Sequence, residues 1–428
     1  MKTLYPGDRG IWVQYLQLAL SRAGCPATVD GIFGEETCAC VGRFLPYGAP
    51  CIVDDSAWQE LLPYLKGYTT HIVEQGDTYW SLARRYHSTV GLLTTANPSM
   101  DVDNLQVGKE VVVPFAFRLV PDNVDYSSIL NAFIIEGMVK RYPFLVSGSI
   151  GKSVMGKDIS YIQIGAGQQQ LFYNAAFHAN EWITTPVLLT FVEEYAQAFA
   201  NGGTLYGMSA ALLFQRFRLY LVPMVNPDGV DLVTGLLDSG TYYDNAVKIA
   251  RDYSQIPFPE GWKANIEGVD LNLQFPAGWE LARQIKFEQG YVSPAPRDYV
   301  GAAPLTAPES VAVYDFTRQN DFELILAYHT QGEVIYWKYL DYNPEYAEEI
   351  AEHFSEVSGY ALEITPAASG NAGYKDWFIM TYNRPGYTIE AGSGINPLPM
   401  SQFPRIYRDN RYILLGGMTE LLRIAQKG

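Results

Sequence analysis

Apolar residues in the first 65 positions recur at helical spacing. In "DRGIWVQYLQLALSRAG", Trp12, Leu16, Ala19 and Leu20 form one stripe, Asp8 is placed to cap the helix start, and Gly24 stops it. "VDGIFGEETCACVGRFL" predicts an Asp30-Gly31 turn and a second short helix, and "DDSAWQELLPYL" predicts a third. From residue 68 the pattern changes. A short strand (71–74) leads through Gly76-Asp77-Thr78, with Asp or Thr as N-cap, into the helix "YWSLARRYH". A second helix over 90–96, an Asn97-Pro98 breaker and a closing strand "EVVVP" follow, a βααβ unit. From about 115 onward, apolar strand-like runs ("LFYNAAF", "RLYLVPMV", "ELILAYH", "GYTIEA") alternate with helical blocks ("TTPVLLTFVEEYAQAFA", "YAEEIAEHFSEVSGY"). Strands apolar on both faces between helices predict an α/β domain with a mixed sheet flanked by helices. The expected division is 1–66, 68–115 and 116–428, consistent with a 428-residue chain too long for one ordinary core.

The formal net charge of -16 argues against a nucleic-acid partner or an anionic membrane surface, since either needs a basic face. No apolar run is long enough to span a bilayer, so no membrane insertion is expected. The first residues show no basic region followed by an apolar core, so no signal peptide is visible. All four cysteines (Cys25, Cys38, Cys40, Cys51) lie in the first 51 residues. Without an export signal the expectation is reduced thiols, although two disulfides are possible; the spacing matches no common zinc pattern.

Five histidines allow the candidate chemistry to be examined one residue at a time. His71 and His87 have no acidic or cysteine cluster at ligand spacing and read as structural or solvated. His353 sits mid-helix among glutamates and reads as a solvated face residue. The other two stand at predicted strand ends, where open α/β sheets build their sites. His178 follows "YNAAF" and is three residues before Glu181; His329 ends "ELILAYH"; Glu390 lies in "GYTIEAGSG". Two imidazoles and a carboxylate form the ligand set of a catalytic zinc, and a second carboxylate can move the proton. The residues alone leave two readings open: His178, Glu181 and His329 as ligands of one zinc per chain with Glu390 as general base, or two satisfied core histidines beside surface carboxylates.

Family resemblances narrow this. Gly7-Asp8-Arg9-Gly10, Val13, Leu16-Gln17 and Asp30-Gly31-Ile32-Phe33-Gly34-Glu35-Glu36-Thr37 resemble the three-helix peptidoglycan-binding domain. Residues 68–114 resemble a LysM domain, the module that grips N-acetylglucosamine-containing glycans. His178-x-x-Glu181, then "VNPDG", "GVDLN", His329, "KDW" and Glu390 in that order resemble the carboxypeptidase A-like zinc peptidases. Within that frame, "WKANIEGVDLNLQFPAGW" and "PRDYVGAAPLTAPE" are similar to bacterial γ-D-glutamyl-diamino-acid endopeptidases, which cut stem peptides of peptidoglycan. The resemblance implies peptidoglycan glycan strands and stem peptides as partners. It also implies Asn272 and Lys375 in substrate binding, Lys375 facing the diaminopimelate carboxylate unless it is a plain surface lysine. Lys263 is the nearest candidate for the oxyanion-stabilising cation, with an ordinary solvated lysine as the alternative.

Two departures matter. Digestive carboxypeptidases follow the motif asparagine with an arginine that clamps the substrate's C-terminal carboxylate; here it is Leu273, which cannot donate such bonds. Their closing tyrosine is also missing, with Pro366 at the counted position. A wall-binding protein with a degenerate peptidase domain, or a metallocarboxypeptidase of other specificity, are the competing readings. Expected surroundings are the cytoplasm or a spore or mother-cell compartment, in sporulation or lysis, with action on cell-wall material.

Overall fold

In the computed structural model the described residues are 1–45, 49–366 and 369–426. The chain divides into two compact units, one made of residues 1–125 and 129–146, the other of 126–128 and 147–428.

The first unit opens with helices α1 (Ile11–Arg22), α2 (Glu35–Val41) and α3 (Asp55–Lys66). The motif residues that mark this segment hold one another. The Gln17 side chain accepts from the Asp30 and Gly31 backbone N–H groups (3.1 and 2.8 Å). It donates to Asp30 Oδ1, the Ile32 carbonyl and Thr37 Oγ1 (2.7, 3.1 and 3.1 Å). Asp8 does not cap α1: Gly10 holds the N-cap at φ 104° with no side-chain bond, and Asp8 accepts from the Tyr5 N–H instead. The thiols are not reduced either. Cys25 pairs with Cys40 and Cys38 with Cys51, at Cα separations of 5.7 and 5.8 Å that a bridge spans easily.

The same unit continues with β1 (Tyr68–Ile72), α4 (Tyr79–Arg85), α5 (Val90–Ala96), β2 (Glu110–Pro114) and α6 (Ser128–Arg141). The strands pair antiparallel, and Thr78 caps α4 in a capping box with Ser81. His71 is structural: its ring meets Tyr86 Oη at 2.9 Å and Asp77 Oδ2 at 2.7 Å. His87 sits at φ 52° just after α4.

The second unit carries β3 (Val146–Lys152), β4 (Asp158–Ile164), β5 (Gln169–Ala175), α7 (Thr184–Ala200), β6 (Thr204–Leu205), β7 (Met208–Ser209), α8 (Ala210–Arg216) and β8 (Phe217–Val222). After these come α9 (Pro227–Val233), α10 (Thr241–Arg251), α11 (Trp279–Glu288), α12 (Pro308–Arg318), β9 (Phe322–His329) and β10 (Val334–Tyr336). The remainder is α13 (Ala347–Ser358), β11 (Ala361–Glu363), α14 (Tyr374–Tyr382), β12 (Gly386–Glu390) and α15 (Phe403–Ala425). Eight strands form one mixed sheet in the order β11-β10-β12-β9-β5-β8-β4-β3. The central strands β12, β9, β5 and β8 run parallel, so their carboxyl ends share one edge of the sheet. Burial follows the expected pattern: every residue of "LFYNA" in β5 is buried, and α7 is buried along most of its length. His353 on α13 is half-buried, 3.7 Å from Glu420. Among the described residues no helix is long and apolar enough to cross a membrane.

Candidate metal centre and active site

Strand β5 ends at Ala175, and Ala176, at φ 52°, turns the chain. His178 then caps a 3₁₀ turn, Ala179–Glu181. Side chains three positions apart on such a turn stand one above the other, which is why His-x-x-Glu places both groups on one side. The turn is pinned by Ala179 N–H donating to the Lys263 carbonyl (3.0 Å) and by Thr184 Oγ1 donating to the Glu181 carbonyl (2.7 Å). His329 arrives as the last residue of β9. The two Glu181 oxygens lie 2.9 Å from His178 Nδ1 and 2.9 Å from His329 Nδ1, and the two imidazole nitrogens are 3.2 Å apart. Potential ligand atoms of all three buried residues lie within 4.8 Å of one another.

Asp270 decides which nitrogen of His178 faces that gap. Its Oδ1 sits 3.1 Å from His178 Nε2, and the outer carboxylate leaves Nδ1 turned toward Glu181 and His329. Asp270 is itself held by N–H groups of Asn272 (to Oδ1) and Asp298 (to Oδ2), each at 3.2 Å. Burial disfavours its ionisation, but His178, Lys263 and these donors outweigh it and hold the carboxyl well below its usual range. Burial likewise opposes ionisation of Glu181, yet His178 and Lys263 keep it ionised. Burial pulls both imidazoles down. In His178 the carboxylates of Glu181 and Asp270 overcome it and raise the pKa to about 9, whereas His329 stays below its ordinary value. A buried carboxylate and two imidazole nitrogens converging on one gap form a donor set that suits a divalent cation, zinc in particular.

Glu390 ends β12 and is the register partner of His329. Burial and the neighbouring Glu181 push its carboxyl up to about 8, against the opposing pull of Lys263 and His178. Lys263 is in the site, its ammonium 3.4 Å from Glu181 Oε1. Asn272 points Nδ2 at His329 Nε2 (3.5 Å), while its Oδ1 accepts from Tyr374 N–H (3.0 Å). Two cavities meet at the centre. One, of about 300 Å³, is bounded by Asn272, Leu273, Lys375 and Asp376, and the other, of about 610 Å³, by Asn180, Gln255, Gln331 and Asn396. Lys263, Arg297, Tyr336 and Glu390 line both.

Leu273 is packed with Trp279, Ala282, Val300 and Ala372, so that wall of the smaller cavity is apolar. Lys375 lines the same cavity but is not a loose surface lysine: it is 3% exposed, donates to the Lys338 carbonyl (2.8 Å) and pairs with Asp376 (2.6 Å). Thr365 and Ser369 border this cavity, and Pro366, between them in sequence, is exposed; Ala367 and Ala368 lie outside the described residues. The motifs "GVDLN" and "PRDYVG" contain Asp270 and Arg297 without marking either for a task, and Tyr336 lies outside every motif. Asp270 was within reach, as the only carboxylate in a motif already singled out. Tyr336 carried no such signal, because "EVIYW" reads as an ordinary strand.

A family profile described as "Zinc carboxypeptidase" matches residues 132–413, and one described as "LysM domain" matches residues 71–114. The chain belongs to the zinc carboxypeptidase family. It is similar to the "Gamma-D-glutamyl-L-diamino acid endopeptidase 1" of Lysinibacillus sphaericus, with 47% identity covering 69% of this chain and 72% of the relative. An uncharacterized protein of Bacillus subtilis, YqgT, is 38% identical over 76% of this chain and 86% of its own. The crystal structure of thrombin activatable fibrinolysis inhibitor superposes with a TM-score of 0.55 at 19% identity, covering 71% of this chain and 75% of that one, a shared zinc-carboxypeptidase fold. This family member is thus a metallopeptidase by fold and by its His-Glu-His cluster, preceded by a LysM module.

Proposed function

We propose that the chain hydrolyses the γ-D-glutamyl–diamino acid bond of peptidoglycan stem peptides, the diamino acid being meso-diaminopimelate. The observation that carries this reading is the 47% identical endopeptidase relative, matched over most of both chains. Two features of the site support it. Leu273, next to Asn272, cannot donate the paired bonds that hold a free C-terminal carboxylate, which fits a chain continuing past the cut. Lys375 and Asp376 put a cation and an anion side by side in the same cavity, a match for the free amino-acid end of diaminopimelate. The LysM module and the preceding helical unit would hold the enzyme on glycan strands.

His178, Glu181 and His329 would hold one zinc ion, with Asp270 orienting His178. Zinc bound there would polarise the scissile carbonyl and acidify a water to a pKa of about 7. Glu390, at the end of β12 beside His329 in register, takes the proton of the attacking water and passes it to the leaving amine. Lys263 faces the centre with a fixed positive charge and stabilises the oxyanion. Asn272 lines the cavity beside His329 and holds the substrate's leaving side.

Digestion of defined muropeptides followed by mass spectrometry tests the reading. Release of the diamino acid portion with L-alanyl-D-glutamate left on the other product is the expected result. Release of the terminal D-alanine alone from a tetrapeptide stem, or no cleavage of any stem by zinc-loaded protein, would overturn it.

A further inference from the structure

The proposed reaction leaves two cations of the cleft, Lys286 and Arg297, without a task. Arg297 lines both cavities, as Glu390 does, and so stands where the smaller cavity, assigned above to the leaving side, adjoins the larger one. It is the more open of the two shared cations, its side chain 43% exposed against 19% for Lys263, which is already paired with Glu181. Arg297 spends Nε on Asp298 Oδ2 (2.6 Å), and its terminal amino groups donate to no partner among the described residues. The other oxygen of Asp298 takes Lys286 at 2.6 Å, so the trio of Lys286, Asp298 and Arg297 retains one unmatched positive charge. Asp270, the other carboxylate acting on Arg297, is already engaged by His178.

A γ-linked D-glutamyl residue differs from an α-linked residue with a non-acidic side chain in one respect on this side of the cut. It carries a free α-carboxylate a short aliphatic tether from the scissile carbonyl, where an α-linked chain carries only neutral amides. A guanidinium with two unused terminal groups at the junction is the partner that geometry and charge call for. Resting on the stem-peptide reading above, we propose that Arg297 binds the α-carboxylate of the D-glutamyl residue and so favours γ-linked D-glutamyl over residues that place no carboxylate there.

The test compares two tripeptides, L-alanyl-γ-D-glutamyl-meso-diaminopimelate and the same peptide with the D-glutamyl α-carboxylate converted to a carboxamide. For the zinc-loaded wild-type protein, kcat/KM should fall about 10- to 100-fold on amidation, the worth of a charge-assisted hydrogen bond. Arg297→Gln should lose the same factor on the carboxylate peptide, mainly in KM, and little on the amide, so the two become near-equal substrates. Arg297→Lys, which keeps the charge but not the fork, should fall between. Equal losses on both peptides in Arg297→Gln, with an unchanged melting temperature, would mean that Arg297 only braces Asp298 and would overturn the proposal. So would a variant that instead levels diaminopimelate against lysine peptides, since Arg297 would then read the leaving side. Wild-type protein that cleaves neither peptide would sink the stem-peptide reading itself, and this inference with it.

Discussion

His329 and Glu390 are register partners on the neighbouring parallel strands β9 and β12, each the last residue of its strand. One sheet edge thus fixes a metal-ligand candidate and the candidate base at adjacent positions, while β5 delivers His178 and Glu181 to the same edge through a pinned turn. The backbone hydrogen bonds of the sheet set this spacing, which explains how residues far apart in the chain can hold a geometry that tolerates little error.

Glu390→Gln should keep the fold and one bound zinc per chain but lower kcat by about 100- to 10,000-fold, the usual range for a lost proton-transfer group. Zinc content by elemental analysis, alongside stem-peptide turnover, separates this from ligand loss. His178→Ala, by contrast, should lose the metal.

Asp270→Asn should weaken zinc binding by about 10- to 100-fold, since it releases the outer nitrogen of His178 from a carboxylate. Competition with a calibrated chelator reads this directly. Unchanged affinity would remove Asp270 from the site.

Lys375→Met should raise KM about 10-fold or more for diaminopimelate stems and much less for lysine stems. Only the diaminopimelate end carries the carboxylate that the ammonium would meet, whereas Asp376 would meet the ammonium of both. Stranding Asp376 in a buried position destabilises the fold equally in the two assays. Equal changes in KM would therefore argue against a reading role for Lys375.

Glu309 supplies a pH prediction away from the metal centre. Burial raises its carboxyl from 4.5 to about 7, even though it accepts bonds from Val154 N–H and Asn265 Nδ2. The folded state therefore holds this proton more tightly than the unfolded state. Stability from this group is fully present below pH 4.5 and is lost as pH rises through about 7, by at most on the order of 3 kcal/mol. Glu309→Gln, which imitates the protonated form, should flatten that part of the melting-temperature profile. A wild-type profile with no decline over that window would contradict this.

The two bridges of the first unit imply that the denatured, unreduced protein titrates no thiols and that reduction exposes all four. A thiol assay in denaturant, with and without reductant, checks it.

Much of the molecule was legible without coordinates because its information is local or periodic. The α7 span, the α5 span and β2 were readable to the residue, since apolar period, caps and breakers act over a few positions. His178, His329 and Glu390 could be singled out because few histidines exist and all three stood in or at the end of apolar runs, and Glu181 by its spacing from His178. The N-cap of α1 lies two residues past the expected one, at Gly10, with the Asp8 carboxylate accepting from the Tyr5 N–H.

What the chain alone determined is therefore the set of elements, their order and the chemical character of the site. Only the tertiary structure decided which side chains meet. It paired Cys38 with Cys51 and Cys25 with Cys40, set Asp270 behind His178, buried Lys375 against Asp376, and left Arg297 at the junction of the two cavities. Apart from the adjacent Lys375 and Asp376, those outcomes bring together segments that lie 13 to 92 positions apart in the pairs named. Residue spacing specifies the direction of a side chain within one element, but not its neighbours from another.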